Sequence, residues 1–310
     1  MSKRFLLTSL SLLAFLPPAF MPNAALACAC GCGIFDVGTG TMMPTDIGGT
    51  VWLEYNYMDQ NVNWSANKRS DSANNSDKEI VTDFITAGGQ YMFDRSWGAE
   101  IEIPYWARTF KTLDDSGNEG SFHHAAFGDV SVKGIYSGFS DDMSTGLTYG
   151  LKLPTGDYSY SNFDRDSSIG SGSTDWLLGG YHQGALTENG LFDWFVNGQW
   201  QHAFTVASSY RPGDEYDAAI GSYYNAGEVL GNDKIAPLLQ FLGSYRLHDT
   251  GAAADLQDSG YRRLLISPGV EYDVDVVKFY ADVEVPLYQN VNGNQLTAPV
   301  LTKFVVAYDF

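Results

Sequence analysis

Along most of the chain, apolar and polar residues alternate one for one. Val277, Phe279, Ala281, Val283, Val285 and Leu287 share one face of a segment whose other face carries Lys278, Tyr280, Asp282, Glu284 and Pro286. This two-residue period is that of a β-strand. It also sets Phe304, Val306, Tyr308 and Phe310 against Lys303, Val305, Ala307 and Asp309. Leu147, Tyr149, Leu151 and Leu153 oppose Thr148, Gly150 and Lys152, and Ile101, Ile103, Tyr105 and Ala107 oppose Glu100, Glu102 and Arg108. Leu264, Ile266, Val270 and Tyr272 oppose Arg263, Ser267, Gly269 and Glu271, with Pro268 arguing locally against an ideal central strand. Faces that are apolar outside and charged inside satisfy lipid and water together in a transmembrane barrel.

About twelve such segments occur, near residues 49–58, 80–93, 98–110, 125–137, 143–154, 174–185, 191–204, 215–226, 235–247, 262–272, 276–288 and 297–310. Each is close to the ~9–11 residues a tilted membrane strand requires. Their connections alternate in length. Asp94-Arg95-Ser96, the Ser140-Asp141-Asp142 region, Thr187-Glu188-Asn189 and Asp273 to Asp275 are short; residues 59–79, 111–124, 155–173, 205–214, 248–261 and 289–296 are long and polar. Residues 227–234 form an inner turn longer than its peers. The fold class expected is all-β: a transmembrane antiparallel up-and-down β-barrel over residues 49–310, with short periplasmic turns, long external loops and both termini inside. A soluble β-sandwich shares the period, but its apolar faces would point inward and its loops need not alternate.

The N-terminus supplies a compartment. Lys3 and Arg4 make a basic region, Phe5 to Leu16 an apolar one, and Ala25-Leu26-Ala27 a small-residue cleavage site, so residues 1–27 read as a secretory signal peptide. Lipoprotein processing at Cys28 is the competing reading, although Ala25 stands where that site usually wants Leu. Phe310, with Tyr308 and Val306 at two-residue steps, resembles the C-terminal signature through which outer-membrane barrels meet the barrel-assembly machinery. The expected location is the bacterial outer membrane, with its lipid as the first partner.

Composition agrees with this picture. The 310 residues include 19 Tyr, 18 Phe, 7 Trp and 33 Gly, far more buriable surface than a disordered chain carries. Lys+Arg is 18 against Asp+Glu 37, a field that repels nucleic acid. Beyond residue 27 there is no apolar run of the ~20 residues a spanning helix needs. Without residues 1–27 the chain has 283 residues and a charge of -21.

Three short motifs stand out: Phe127-Gly128-Asp129-Val130-Ser131-Val132-Lys133-Gly134-Ile135-Tyr136, then Leu151-Lys152-Leu153-Pro154-Thr155-Gly156-Asp157, then Ile169-Gly170-Ser171-Gly172-Ser173-Thr174-Asp175-Trp176. On its own terms Pro154 fixes φ at a strand end and Gly156 permits a turn, which reads as a rim corner, with Gly170 and Gly172 returning the chain to the next strand. The order and spacing of the motifs resemble the bacterial family of meta-pathway phenol-degradation outer-membrane proteins. The resemblance covers residues 80–185 and implies a β-barrel related in type to transporters of hydrophobic compounds.

Candidate chemistry falls in two places. The alternation assigns Glu54, Glu100, Glu102, Arg108, Asp129, Lys133, Lys152, Arg246, Arg263, Glu271, Lys278, Asp282, Glu284 and Lys303 to the lumen, because lipid-facing charge is costly. These are seven acids and seven bases, a balanced interior that suits a water-filled pore or a lumen closed by ion pairs. Structural pairs that stiffen the wall are the plain alternative. All 3 Cys lie in Cys28-Ala29-Cys30-Gly31-Cys32-Gly33. Cys28, Cys30 and Cys32 can hold Cu or Zn as thiolates, with Met42 and Met43 as further soft donors; an incidental role in an anchor or plug, intermolecular bonding and lipidation are the other readings. Residues 28–48 are therefore a Cys- and Gly-rich segment, a plug or metal site.

His123 and His124 are weaker metal candidates, since adjacent strand residues point to opposite sides. The acidic groups near Asp114-Asp115, Asp164 to Asp166 and Asp255 lack the spacing of a calcium loop. No nucleophile elbow, phosphate loop or zinc-protease motif occurs, and no enzyme is expected. The function expected is passage of a small, hydrophobic or aromatic solute through an outer-membrane channel. The alternatives are a metal-handling or electron-transfer barrel using the Cys cluster, and a structural barrel without transport.

Overall fold

The computed structural model describes residues 28–29, 42–114, 116–225, 227 and 233–310. In chain order the strands are β1 (Cys28–Ala29), β2 (Gly48–Gln60), β3 (Val62–Ala66), β4 (Lys68–Arg69), β5 (Asp77–Met92), β6 (Trp97–Leu113), β7 (Glu119–Phe127) and β8 (Val130–Tyr136). They continue as β9 (Thr145–Leu153), β10 (Ser173–Ala185), β11 (Phe192–Val206), β12 (Glu215–Tyr224), β13 (Lys234–Arg246), β14 (Tyr261–Val274), β15 (Val277–Thr297) and β16 (Leu301–Asp309). Twelve staves make a closed antiparallel barrel: β2, β5 and β6, then β7 and β8 together as one broken stave, then β9 to β16. The seam is the β16–β2 ladder, from Leu301 opposite Met58 to Asp309 opposite Thr50. Closure removes the free sheet edges that lipid would punish.

The period of two becomes radial order. Val51, Leu53, Ile101, Leu178, Val283 and Val285 are exposed on the outside, while Met58, Phe84, Leu265, Val305, Glu284 and Lys303 are buried inside. Aromatic rings gather at both ends of the apolar band. Tyr91, Phe93, Trp97, Tyr308 and Phe310 lie at the short-turn end, and Tyr105, Phe127, Trp176 and Phe204 lie toward the other, all exposed. That distribution matches the interfacial girdles of membrane barrels. Pro268 lies where the β14–β15 ladder is interrupted, between Ile266 opposite Val285 and Gly269 opposite Asp282, while on its other side it stays opposite Leu239 of β13.

Two stretches expected as loops are strand instead. Residues 111–124 mostly continue β6 and β7, with Lys111 opposite Ser121, so that only residues 114–118 turn. Residues 289–296 belong to β15, whose far end pairs with β3 through Gln295 opposite Trp64 and Leu296 opposite Asn63. Both are mostly polar, and side-chain bonds join a few buried apolar contacts, Leu296 with Ile80 and Phe110, and Val291 with Tyr261. Lys111 pairs with Glu79, and Gln295 Nε2 donates to the Gly260 and Asn292 carbonyls. Residues 59–79, expected as one loop, contain the β3–β4 hairpin and the start of β5.

The segment before β2 enters the barrel. Met42 is buried with Trp52, Leu238, Tyr280, Val305 and Ala307, and Met43 belongs to the cluster that holds Met58, Phe84, Ile135 and Tyr181. The backbone of β1, by contrast, pairs in parallel with Gln295 and Leu296 at the long-loop end of β15.

Candidate functional site

The lumen is a stack of carboxylate networks closed at two levels. Lys133 on β8 stands between Glu100 (2.8 Å) and Glu102 (3.0 Å) of β6, and Ser131 Oγ donates to Glu102 at 2.8 Å. One stave further, Lys152 reaches Asp175 at 2.8 Å, and Gln201 Nε2 donates to the same carboxylate at 2.7 Å. Across the barrel Asp282 accepts from Tyr280 (2.6 Å), Ser267 (2.7 Å) and Gln240 (3.0 Å). Toward the long-loop end Tyr261 donates to Glu215 and Arg263 to Tyr261, while Arg246 pairs with Asp249 at 2.8 Å. At the opposite mouth Lys278 pairs with Asp309 at 3.0 Å, and Glu271 and Lys278 line the vestibule. Burying a charge is costly unless it is paired and hydrogen-bonded in this way.

All fourteen residues expected in the lumen thus project inward, including Glu54 and Lys303 on the central cavity and Glu284 at 1% exposure. The expected charge balance does not hold. Asp175, Glu215 and Asp217 also face inward, and the loop residues Arg165 and Asp166 reach the central cavity, where six carboxylates stand against four bases. On β12 the outward Tyr216 and Ile220 carried that signal, because they fix Glu215 and Asp217 on the other face. On β10 the buried Leu177 and Tyr181 obscure it, since a narrow barrel fills part of its interior with apolar side chains.

A central cavity of about 170 Å³ lies among these networks, with Pro104, Trp106, Ile169 and Tyr210 as apolar wall. A second of about 70 Å³ lies toward the short-turn end. Met42 and Glu102 line both, so together they form the partition between them, with Met42 as its apolar part. Met43 and Pro44 border only the second.

The other closure is the loop of residues 154–172, whose anchoring uses all three conspicuous motifs. Asp129, in the break between β7 and β8, accepts from Gly156 N at 2.9 Å with one oxygen. Its other oxygen accepts from Ser171 N at 2.8 Å and Ser171 Oγ at 2.5 Å. Thr155 Oγ1 donates to the Gly128 carbonyl and accepts from Val130 N. Gly156 and Gly170 touch backbone to backbone: a Cβ on Gly170 would stand 2.5 Å from the Gly156 carbonyl carbon. The motif glycines are thus needed for close approach rather than for a ligand.

Arg108, with no exposed surface, spans from Thr82 Oγ1 (2.9 Å) to the Ser167 carbonyl (2.5 Å) and holds the loop's inner limb. Arg165 lies over the rings of Tyr158 and Tyr210 and donates to the Gly170 and Ser171 carbonyls. The loop covers the upper wall as well. β9 ends at Leu153 and pairs with β8 but not β7, so the second edge of β7 has no strand partner among the described residues. Loop side chains fill that place. His124 stacks on Tyr160 at 3.6 Å and meets Asp157 at 3.0 Å, and Phe163 packs on Phe110. His123 points the other way, toward Thr109.

The thiol proposal is only partly placed. Cys30 and Cys32 lie outside the described residues. The Cys28 backbone is at the long-loop end of β15, whereas Met42 packs with Tyr280 near the other end, so Met42 is not a donor beside Cys28. Among the described residues, no group of three or more His, Cys, Asp or Glu forms a metal cluster.

This geometry defines the class: a twelve-stranded transmembrane β-barrel of the outer-membrane type with a polar, internally closed lumen. No family model matches the chain, and no curated protein matches it. Among solved structures it is similar to an outer-membrane channel from Pseudomonas putida F1, with 13% identity and a TM-score of 0.64 over 89% of this chain and 100% of that one. It is also similar to the β domain of the Bordetella autotransporter BrkA, with 11% identity and a TM-score of 0.55 over 86% of this chain and 100% of that one. These likenesses show the fold.

Proposed function

We propose that the protein is an outer-membrane channel for a small solute with a hydrophobic or aromatic body. The observation that carries this reading is the central cavity, walled by Pro104, Trp106, Ile169 and Tyr210 and bounded by two separate closures, Met42 on one side and the 154–172 loop on the other. A purely structural barrel has no need of a cavity between two separate closures. The Pseudomonas putida neighbour is an outer-membrane channel, which supports the same reading. Insertion proceeds through the barrel-assembly machinery at the C-terminal Phe310, whose ring is exposed beside Tyr91 and Tyr308.

The test is conductance and uptake of a neutral monoaromatic probe in proteoliposomes, for the native chain and for Met42→Gly/Met43→Gly. Widening the partition raises conductance and uptake. A folded native protein and a folded variant that are both silent would return the molecule to a structural role. A second reading, metal handling by Cys28, Cys30 and Cys32 with bound Cu or Zn, draws on the pairing of β1 with β15, which holds the head of the cluster at the long-loop end. Equal metal content in the native chain and in the triple Cys→Ser variant would remove it.

A further inference from the structure

The lumen is short of positive charge where a solute must cross it. On the central cavity six carboxylates face four bases, Lys152, Arg165, Arg246 and Lys303. Two of those bases are already engaged by buried carboxylates beyond the cavity wall, Lys152 by Asp175 and Arg246 by Asp249. Lys133, nearer the second cavity, is shared by two carboxylates at once. A second observation concerns Glu284. Its side chain is turned inward at 1% exposure, and neither carboxylate oxygen has a hydrogen-bond partner among the described residues. The charged groups around it are Lys303, Asp282, Arg263 and Glu54, an even mix that leaves its own charge uncompensated. A buried carboxylate without a donor is costly unless a cation supplies the missing interaction or the group takes up a proton.

We propose that the axial lumen is cation-selective, with Glu284 and Asp217 as the carboxylates that set the preference. Glu284 on β15 provides the inward group that lacks a donor, and Asp217 faces the cavity from β12, three staves away. Mobile cations take the place of the absent bases. Solutes bearing an ammonium group share that advantage, and solutes bearing a carboxylate or phosphate are repelled. Low-dielectric walls focus such a field along the axis. An excess potential of about one kT concentrates cations and depletes anions by the same factor, giving a permeability ratio of about seven.

This inference rests on the channel reading, and one experiment separates the two. The purified full chain is placed in planar bilayers under a KCl gradient, and the zero-current potential gives the potassium-to-chloride permeability ratio. The native ratio is several-fold above one. In Asp217→Asn/Glu284→Gln it falls toward one, while Glu284→Asp keeps it; heat-modifiable gel mobility verifies that each variant is folded. Swelling of liposomes in a small amino sugar, against a sugar acid of similar size, gives the same order without electrodes. A conducting native protein with a ratio at or below one overturns the inference and leaves the channel reading standing. So does a folded double variant whose ratio is unchanged. A folded native protein and a folded Met42→Gly/Met43→Gly variant that both carry no current overturn both readings.

Discussion

Removing the carboxylate of Asp129 tests whether the 154–172 loop is a latch. In the structure that one group accepts three hydrogen bonds, from Gly156 N, Ser171 N and Ser171 Oγ. Hydrogen bonds to a charged acceptor contribute about 1.5–3 kcal/mol each, but these share one half-buried side chain and are not additive. For Asp129→Ala we take ~3 kcal/mol for the set, which multiplies the open population of the loop by about 150. Trypsin reads that population directly, because Arg165 is the sole Lys or Arg between residues 153 and 210. With opening fast relative to cleavage, the rate of cutting tracks the open fraction. Asp129→Ala in detergent is expected to be cut at Arg165 about a hundredfold faster, and Asp129→Asn, which keeps one acceptor oxygen, about tenfold faster. Cutting of Asp129→Ala within about twofold of native would refute the latch and the magnitudes assigned to it.

Three other perturbations follow from the same structure. Gly170→Ala brings a Cβ to 2.5 Å from the Gly156 carbonyl carbon, so it opens the loop as Asp129→Ala does; native-like tryptic resistance would contradict the close packing. Val283→Arg puts a charge on the lipid face of β15 near its membrane midpoint and should cost about 2–4 kcal/mol in refolding titrations into lipid; a cost below about 0.5 kcal/mol would mean that this face does not meet hydrocarbon. Burial, and then the negative charge of Asp255, hold the Asp164 carboxyl above its ordinary range. The closed loop therefore binds that proton more tightly than the open one, so closure weakens as pH rises through the raised value and is stronger under mild acid. Trypsin cutting corrected for enzyme activity should slow in Asp164-containing protein as pH falls from about 7 to 5, and Asp164→Asn should flatten the profile.

Particular residues show why the barrel was legible in the sequence and part of its interior was not. Lipid imposes one rule on every outward position, so Val283, Val285 and Leu287 announce both the strand and the face of Glu284. Inside, no single rule applies. Water, ion pairs and filler side chains share the space, and Leu177 next to Asp175 breaks the polar pattern. Arg165 and Asp249 come from loops, where there is no period to read. The ribbon at residues 289–296 looks like a loop because Asn and Gln replace Val and Ile once hydrocarbon is left behind. The three motifs were visible as turns; that Gly128, Gly156 and Gly170 meet at one point depends on long-range contacts that spacing does not encode.

The position of Met42 also bears on assembly. The β16–β2 ladder joins the last strand to the first, so it forms only when both ends of the barrel sequence are present. Residues 42–47 are continuous with β2, yet Met42 packs on Val305 and Ala307 of the very strand that closes on it. The segment reaches its place either by being laid against β16 while the seam zips or by folding in through the short-turn mouth, where Thr45 lines the vestibule. Either way the partition rests on the strands that close the barrel. On the channel reading, the finished barrel is therefore shut at rest, and passage begins with the partition moving aside.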